Sequence, residues 1–357
     1  MNNKITIIFI IIFIIIAALL SRNTQPDPSN NSSAFIEADY SNSEYEIIYF
    51  AGGCFWGVQT YFDRILGVIY TDVGYINGKN NDTSYFFLKD TEHAEAVQVV
   101  YDPKKVELED LVKYFYDVID PTELNKQGAD EGIQYRSGIY YTNTDDLEII
   151  ESVTEQEQTK YSEKIVTEIE ALKNYVVAEV EHQHYLIKNP SGYCHINLNI
   201  IPNEKPEIRP ADYIGFRSEN LRNTLSAIEY LVTQQNGTEY AFDNDYWDNE
   251  NKGIYVDVVS GEPLFLSIDK YASGSGWPSF TKPISSEVLT YHYDNELEYQ
   301  RIEVRSRVAD SHLGHVFSDG KSSESSLRYC INSAALNFIP FEQMDKDSYE
   351  KFKVYFE

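Results

Sequence analysis

The chain has 357 residues, 42% of them apolar, which suits two packed domains better than one. Its 29 basic and 57 acidic residues leave a formal net charge of −28, which repels phosphate backbones and excludes nucleic acid as an expected partner. Only three cysteines occur, Cys54, Cys194 and Cys330, and none form a C-x-x-C pair. That excludes a disulfide scaffold, a four-thiolate zinc site and a thioredoxin-like dithiol.

The N-terminus reads as targeting rather than fold. Lys4 precedes an apolar run, Ile5 to Leu20, interrupted only by Thr6. Residues 1–21 are therefore expected to be a signal anchor or signal peptide. The run is slightly short of the roughly 20 residues of a full span. It lacks a small-x-small cleavage site, so an uncleaved anchor is the preferred reading. The protein is then expected outside the cytoplasm, membrane-anchored or exported. Residues 22–44, rich in Ser, Asn, Asp and Pro, read as a flexible tether.

Residues 45–201 alternate strand and helix patterns. Ile47–Ala51 is a strand that turns at Gly52-Gly53 into a helix from Cys54, with Val58, Tyr61, Phe62 and Ile65 on one face. Val68–Gly74, Ala94–Tyr101 and Ser137–Tyr141 are further strands. Leu108, Leu111, Val112, Phe115 and Ile119 recur at helical spacing before Asp120-Pro121 ends the element. Leu147, Ile150 and Val153 mark an acidic helix. Residues 202–212 hold Pro202, Pro206 and Pro210 and read as a linker. Residues 213–357 open with a helix striped by Leu221, Leu225, Ile228 and Leu231. Short strands follow at Ile254–Val259, Pro263–Ser267, Ile302–Val308 and Ala334–Phe338. The expected fold class is an α+β two-layer first domain followed by a mostly β second domain.

Cys54 stands in Gly53-Cys54-Phe55-Trp56-Gly57, where a strand becomes a helix. A thiol there meets unpaired N–H groups and the positive end of the macrodipole, which predicts a lowered pKa. The two aromatics that follow suit a thioether methyl. The bland reading is a tight turn with a small buried hydrophobe. GCFWG, then HAEAVQVVYDP (93–103), QYRSGIYY (134–141) and NPSGYC (189–194), in that order, resemble A-type methionine sulfoxide reductase over roughly residues 46–200. The resemblance implies Cys54 as nucleophile on the sulfoxide sulfur and Glu95 as acid at its oxygen. It implies Tyr85 and Tyr135 as donors to that oxygen, Asp130 at the polar end, Phe55 and Trp56 around the S-methyl, and Cys194 as the resolving thiol.

The second half carries GEPLF (261–265), SGWPSF (275–280), SHLGHVFSDG (311–320) and RYCINSAAL (328–336). Together they resemble B-type methionine sulfoxide reductase over roughly residues 213–342. The resemblance implies Cys330 as nucleophile, Trp277 against the methyl, and His312 and His315 positioning water or supplying a proton. Arg328 and Asn332 would stabilise the thiolate and orient the site, with Arg328 lowering the thiol pKa. Two departures stand out. Asp257 and Ser260 occupy the stretch where many members place zinc-binding cysteines, and Ser275 stands where many have a resolving cysteine. No metal or organic cofactor is expected, so electrons must come from an external thioredoxin-like reductant. The expected substrates are oxidised proteins or free methionine sulfoxide, the S epimer for the first module and the R epimer for the second. Two other readings stand beside this one: an enzyme active only in its A-type half, and a membrane-tethered protein that binds oxidised methionine without turnover.

Overall fold

The computed structural model describes residues 38–41, 43–213, 221–295, 297, 299–320, 325–345 and 348–357. The expected signal segment, and residues 22–37 of the expected tether, lie outside the described residues. Among the described residues no helix is long and apolar enough to cross a membrane.

The first half is built on a mixed sheet. Its strands are β1 (Glu46–Gly52), β2 (Val68–Ile76), β3 (Ala94–Tyr101), β6 (Ser137–Tyr141), β7 (Glu168–Ala171) and β8 (Tyr175–Val177). A small hairpin of β4 (Lys126–Gln127) and β5 (Asp130–Glu131) lies outside it. The sheet order is β7-β6-β1-β3-β2-β8, antiparallel throughout except for the parallel β6–β7 pair. Alternation sorts side chains to two faces. Ile48 and Phe50 of β1 face the helices, while Tyr49 and Ala51 pack on the other side with Ala94, Ala96 and Tyr140. Phe50 stacks between Phe62 of the Phe55–Asp63 helix at 4.7 Å and Phe115 of the Leu108–Tyr116 helix at 4.9 Å. All four apolar positions expected on one face of the first helix, Val58, Tyr61, Phe62 and Ile65, are 0% exposed. That burial fixes the helix against the sheet and aims its N-terminus at β3.

The second half is mostly β. A three-stranded sheet pairs β10 (Pro263–Leu266), β9 (Gly253–Asp257) and β17 (Leu336–Pro340). A six-stranded antiparallel sheet runs β11 (Lys270–Tyr271), β12 (Ser279–Phe280), β16 (Arg328–Ile331), β15 (His312–Phe317), β14 (Arg301–Ser306) and β13 (Leu289–Asp294). The expected opening helix is instead two short ones, Leu221–Thr224 and Ala227–Gln235. Ser226 interrupts them by forming a capping box with Glu229, which restarts the helix. The expected stripe is not the buried face: Ile228 and Leu231 are exposed, and Val232 and Thr233 are buried instead.

The described residues outside the two halves are packed. Ala38 and Tyr40, at the end of the stretch read as a tether, are buried in the second half's core, and Asp39 N–H donates to Ser326 Oγ at 3.0 Å. Residues 202–212 are tied to both halves. Leu66 N–H donates to the Asn203 carbonyl, Lys205 N–H to that of Arg64, and the Arg307 guanidinium to that of Ile208. The second half's core continues through Val100, Ile47 and Tyr70 into the first half. A cavity of about 770 Å³ between the halves has Cys194 in its wall.

Candidate active sites

Cys54 caps the Phe55–Asp63 helix and is buried. Gly53 before it has φ +78°, and a Cβ there would come within 2.6 Å of Gln127, so only glycine makes this turn. Gly57, one turn on, lets Cys194 Sγ approach: a Cβ at residue 57 would lie 2.9 Å from that sulfur. Cys194, half-buried, therefore sits over the helix turn that Cys54 begins. Both thiols are free.

Glu95, on β3, is 2% exposed, and its Oε2 accepts the Phe55 N–H at 3.2 Å. Burial pushes its carboxyl up to about 8, against the downward pull of the Phe55 N–H. The lowered pKa expected for Cys54 is not found. Burial first, then Glu95, raise the thiol, although a hydrogen bond from the Trp56 backbone opposes them. The physical reason is depth: burial disfavours the thiolate more than the single Trp56 N–H stabilises it, and the Phe55 N–H is taken by Glu95. A protonated Glu95 removes its own charge from beside Cys54 and is poised to donate.

Aromatic rings complete this site. Phe55 is 1% exposed, and Trp56 stacks on Tyr185 with centroids 3.8 Å apart. Burial first, then Glu95, raises the Tyr85 and Tyr135 phenols, so both keep their protons. Burial first, then the neighbouring Asp130, raises the Tyr193 phenol. Asp130 Oδ2 and His195 Nδ1 are buried with no partner among the described residues. Such atoms call for water or a ligand. His182, which the sequence reading passed over, accepts the Trp56 indole N–H at 3.3 Å and lies 5.0 Å from the Tyr85 ring centroid. Glu179 accepts the Tyr75 hydroxyl at 2.5 Å and the Tyr85 N–H at 3.1 Å. The signal available for both was their position just ahead of NPSGYC.

In the second half Cys330 lies on β16, opposite Ser279 of β12 and His315 of β15. Its thiol donates to Ser275 Oγ at 3.8 Å. Arg328, two residues away, shares its face of the strand and lowers the thiol, but burial outweighs it, so the net shift is upward and not downward as expected. Arg328 itself is held bidentately by Asp319 and lies over the Phe317 ring. His312 Nδ1 bonds Glu303 Oε1 at 2.6 Å, and His315 Nε2 bonds Asp294 Oδ2 at 2.7 Å. The two rings are 5.6 Å apart. Trp277 donates its indole N–H to the Glu239 carbonyl. The Asn332 amide is spent on main chain, accepting from Glu239 N–H and donating to the Leu313 carbonyl. It orients the loops around Cys330 rather than facing the sulfur.

The position that many B-type members give to zinc holds a hydrogen-bonded knot. The Asp257 carboxylate is 1% exposed and accepts from Val259 N–H and the hydroxyls of Ser260, Ser306 and Ser311. Among the described residues no group of three or more His, Cys, Asp or Glu is arranged to hold a metal.

A family model described as peptide methionine sulfoxide reductase matches residues 46–209, and one described as SelR domain matches residues 225–340. Reduced Mxr1 from Saccharomyces cerevisiae is similar at 37% identity over 49% of this chain and 98% of that one, with a TM-score of 0.42. This chain belongs to the peptide methionine sulfoxide reductases. Methionine sulfoxide reductase A of Corynebacterium diphtheriae is similar at 38% identity, covering 42% of this chain and 78% of that chain, with a TM-score of 0.39. Mxr1 in complex with Trx2 is similar at 29% identity, covering 44% and 94%, with a TM-score of 0.31. This methionine sulfoxide reductase therefore carries an A-type module and a B-type module in one chain, and both modules reduce methionine sulfoxide.

Proposed function

We propose that the A-type module reduces the S epimer at Cys54 and the B-type module the R epimer at Cys330. The observation that carries this is the pairing of a buried thiol with a buried, proton-bearing carboxyl inside an aromatic box at Cys54 and Glu95. The Cys54 sulfur bonds to the sulfoxide sulfur while Glu95 protonates the oxygen, with Tyr85 and Tyr135 donating to it. Asp130 shapes the polar end. Phe55 and Trp56 hold the methyl. The oxygen passes to Cys54 as a sulfenic acid, the thioether leaves, and the proton of the Cys54 thiol restores Glu95. Cys194 condenses with the sulfenic acid, forming a disulfide and releasing water.

At Cys330 the same transfer uses His312 and His315, each fixed by a carboxylate, as the source of the proton. Trp277 packs on the methyl, and Arg328 and Asn332 orient the site. The resulting sulfenic acid has no other cysteine in its own half, so it is recycled either by an external thiol, which forms a mixed disulfide with loss of water that a second thiol then reduces, or by a cysteine of the first half. A thioredoxin-like dithiol is the proposed reductant for the disulfide of the first module, because the chain's own three cysteines include no C-x-x-C pair to supply the electrons. Oxidised proteins and free methionine sulfoxide are the proposed substrates. The apolar run after Lys4 supports a location outside the cytoplasm, anchored at or exported across a membrane. Chromatographic assay of separated epimers with dithiothreitol tests the division of labour. Cys54→Ser is expected to abolish S-epimer reduction and spare the R epimer; loss of both would overturn it.

A further inference from the structure

Residues 239–247 have no regular secondary structure, yet they are stitched to both loops that flank Cys330. Phe242 N–H and the Asn244 side-chain amide both donate to the Gly276 carbonyl, at 2.9 and 2.8 Å. Ser333 Oγ donates to Asn244 Oδ1 and accepts from Tyr246 N–H. Phe242 adopts φ +61°, a left-handed conformation that a bulky residue keeps only when its surroundings impose it.

Glu239 joins these stitches. It is 7% exposed. Its carboxylate accepts the backbone N–H groups of Ser333 and, at 2.9 Å, Ala334. Its own N–H donates to Asn332 Oδ1 at 3.2 Å, and its carbonyl accepts the Trp277 indole N–H at 3.2 Å. Asn332 in turn donates to the Leu313 carbonyl on β15, between His312 and His315. One residue thus connects the tryptophan of the methyl pocket, the turn after the nucleophile and the histidine strand.

We propose that Glu239 is a positioning residue for R-epimer reduction: its carboxylate bolts the 239–247 segment to the turn after Cys330, and its carbonyl thereby fixes the Trp277 indole. The inference rests on the reading of Trp277 as the wall that receives the substrate methyl. Losing the bolt frees the indole, so substrate binding weakens more than the chemical step.

The test is steady-state kinetics of the full chain on each free epimer with dithiothreitol. Glu239→Ala is expected to raise KM for the R epimer by roughly tenfold, with a much smaller fall in kcat and no change for the S epimer. Glu239→Gln keeps one acceptor oxygen and is expected to fall between wild type and Ala. If Glu239→Ala does not fold, Glu239→Gln decides alone. Asp257→Asn, a buried carboxylate of the same half that touches neither Trp277 nor Asn332, is expected to lower Tm without raising KM. An R-epimer KM within twofold of wild type in both Glu239 variants overturns the positioning role. A wild-type chain that reduces no R epimer overturns the functional reading instead, and the inference falls with it.

Discussion

The Ser275 hydroxyl lies 3.8 Å from the Cys330 sulfur and accepts a hydrogen bond from its thiol. A serine therefore stands where a second thiol would meet the sulfenic acid. The turn around it is tight on one side: Gly274 and Gly276 both have positive φ, and Gly276 is packed against Ala241 and Phe242, whereas a Cβ at Gly274 would meet nothing within 4 Å. Ser275→Cys needs to close the gap to the roughly 2 Å of an S–S bond, and rotation of the introduced side chain toward Cys330 is the expected route. One R-sulfoxide turnover should then leave a disulfide between the introduced thiol and Cys330, detectable by peptide mapping. The thioredoxin-dependent rate should rise relative to the dithiothreitol-dependent rate. Two free thiols after turnover would count against Ser275 as the vacated resolving position.

Glu95 sets the pH behaviour of the first module. Its carboxyl is raised to about 8, so the donor form dominates at neutral pH and is lost as pH rises through 8. Single-turnover S-epimer reduction should be steady below that point and decline above it. Glu95→Gln should slow the reaction by roughly 100- to 10,000-fold and remove the decline. A wild-type rate in the variant would take Glu95 out of the mechanism.

Cys194 packs over Gly57, on the helix turn that Cys54 begins. Cys194→Ser should allow one equivalent of S-epimer reduction and stop recycling by thioredoxin. Dithiothreitol, small enough to reach Cys54 directly, should restore part of the turnover. Full turnover with thioredoxin as the only reductant would show that another group resolves Cys54.

The Asp257 knot holds the β9–β10 turn to Ser306 of β14 and to Ser311, just ahead of β15. Asp257→Asn replaces one acceptor oxygen with a donor that faces serine hydroxyls, leaving buried partners mismatched. A loss of about 2 kcal/mol is expected, read as a lower Tm of the second half. A Tm equal to wild type would mean that the serines re-pair among themselves.

Much of this protein was legible in its residues. The strand from Ala94 to Tyr101 and the strand from Ser137 to Tyr141 appear with their expected ends, because apolar and β-branched runs bounded by turn residues carry their own signal. The motifs around Cys54 and Cys330 pointed to two reductase modules, which the family matches over residues 46–209 and 225–340 show. Other features required the fold. Ser226 split the expected helix and moved its buried face, because a cap competes locally with helix continuation. Ala38 to Tyr40, at the end of the stretch read as tether, and the stretch read as linker are packed and hydrogen-bonded, which depends on surfaces far away in the chain. The thiol pKa values depended on who else claims the N–H groups and on depth of burial, neither of which local sequence records. His312 and His315 are three residues apart, a spacing that puts side chains on opposite faces of a regular strand. A register shift opposite Val304 and Arg305 brings their rings together. A bulge of this kind is set by strand pairing, so the residues named the histidines and only the sheet made them neighbours.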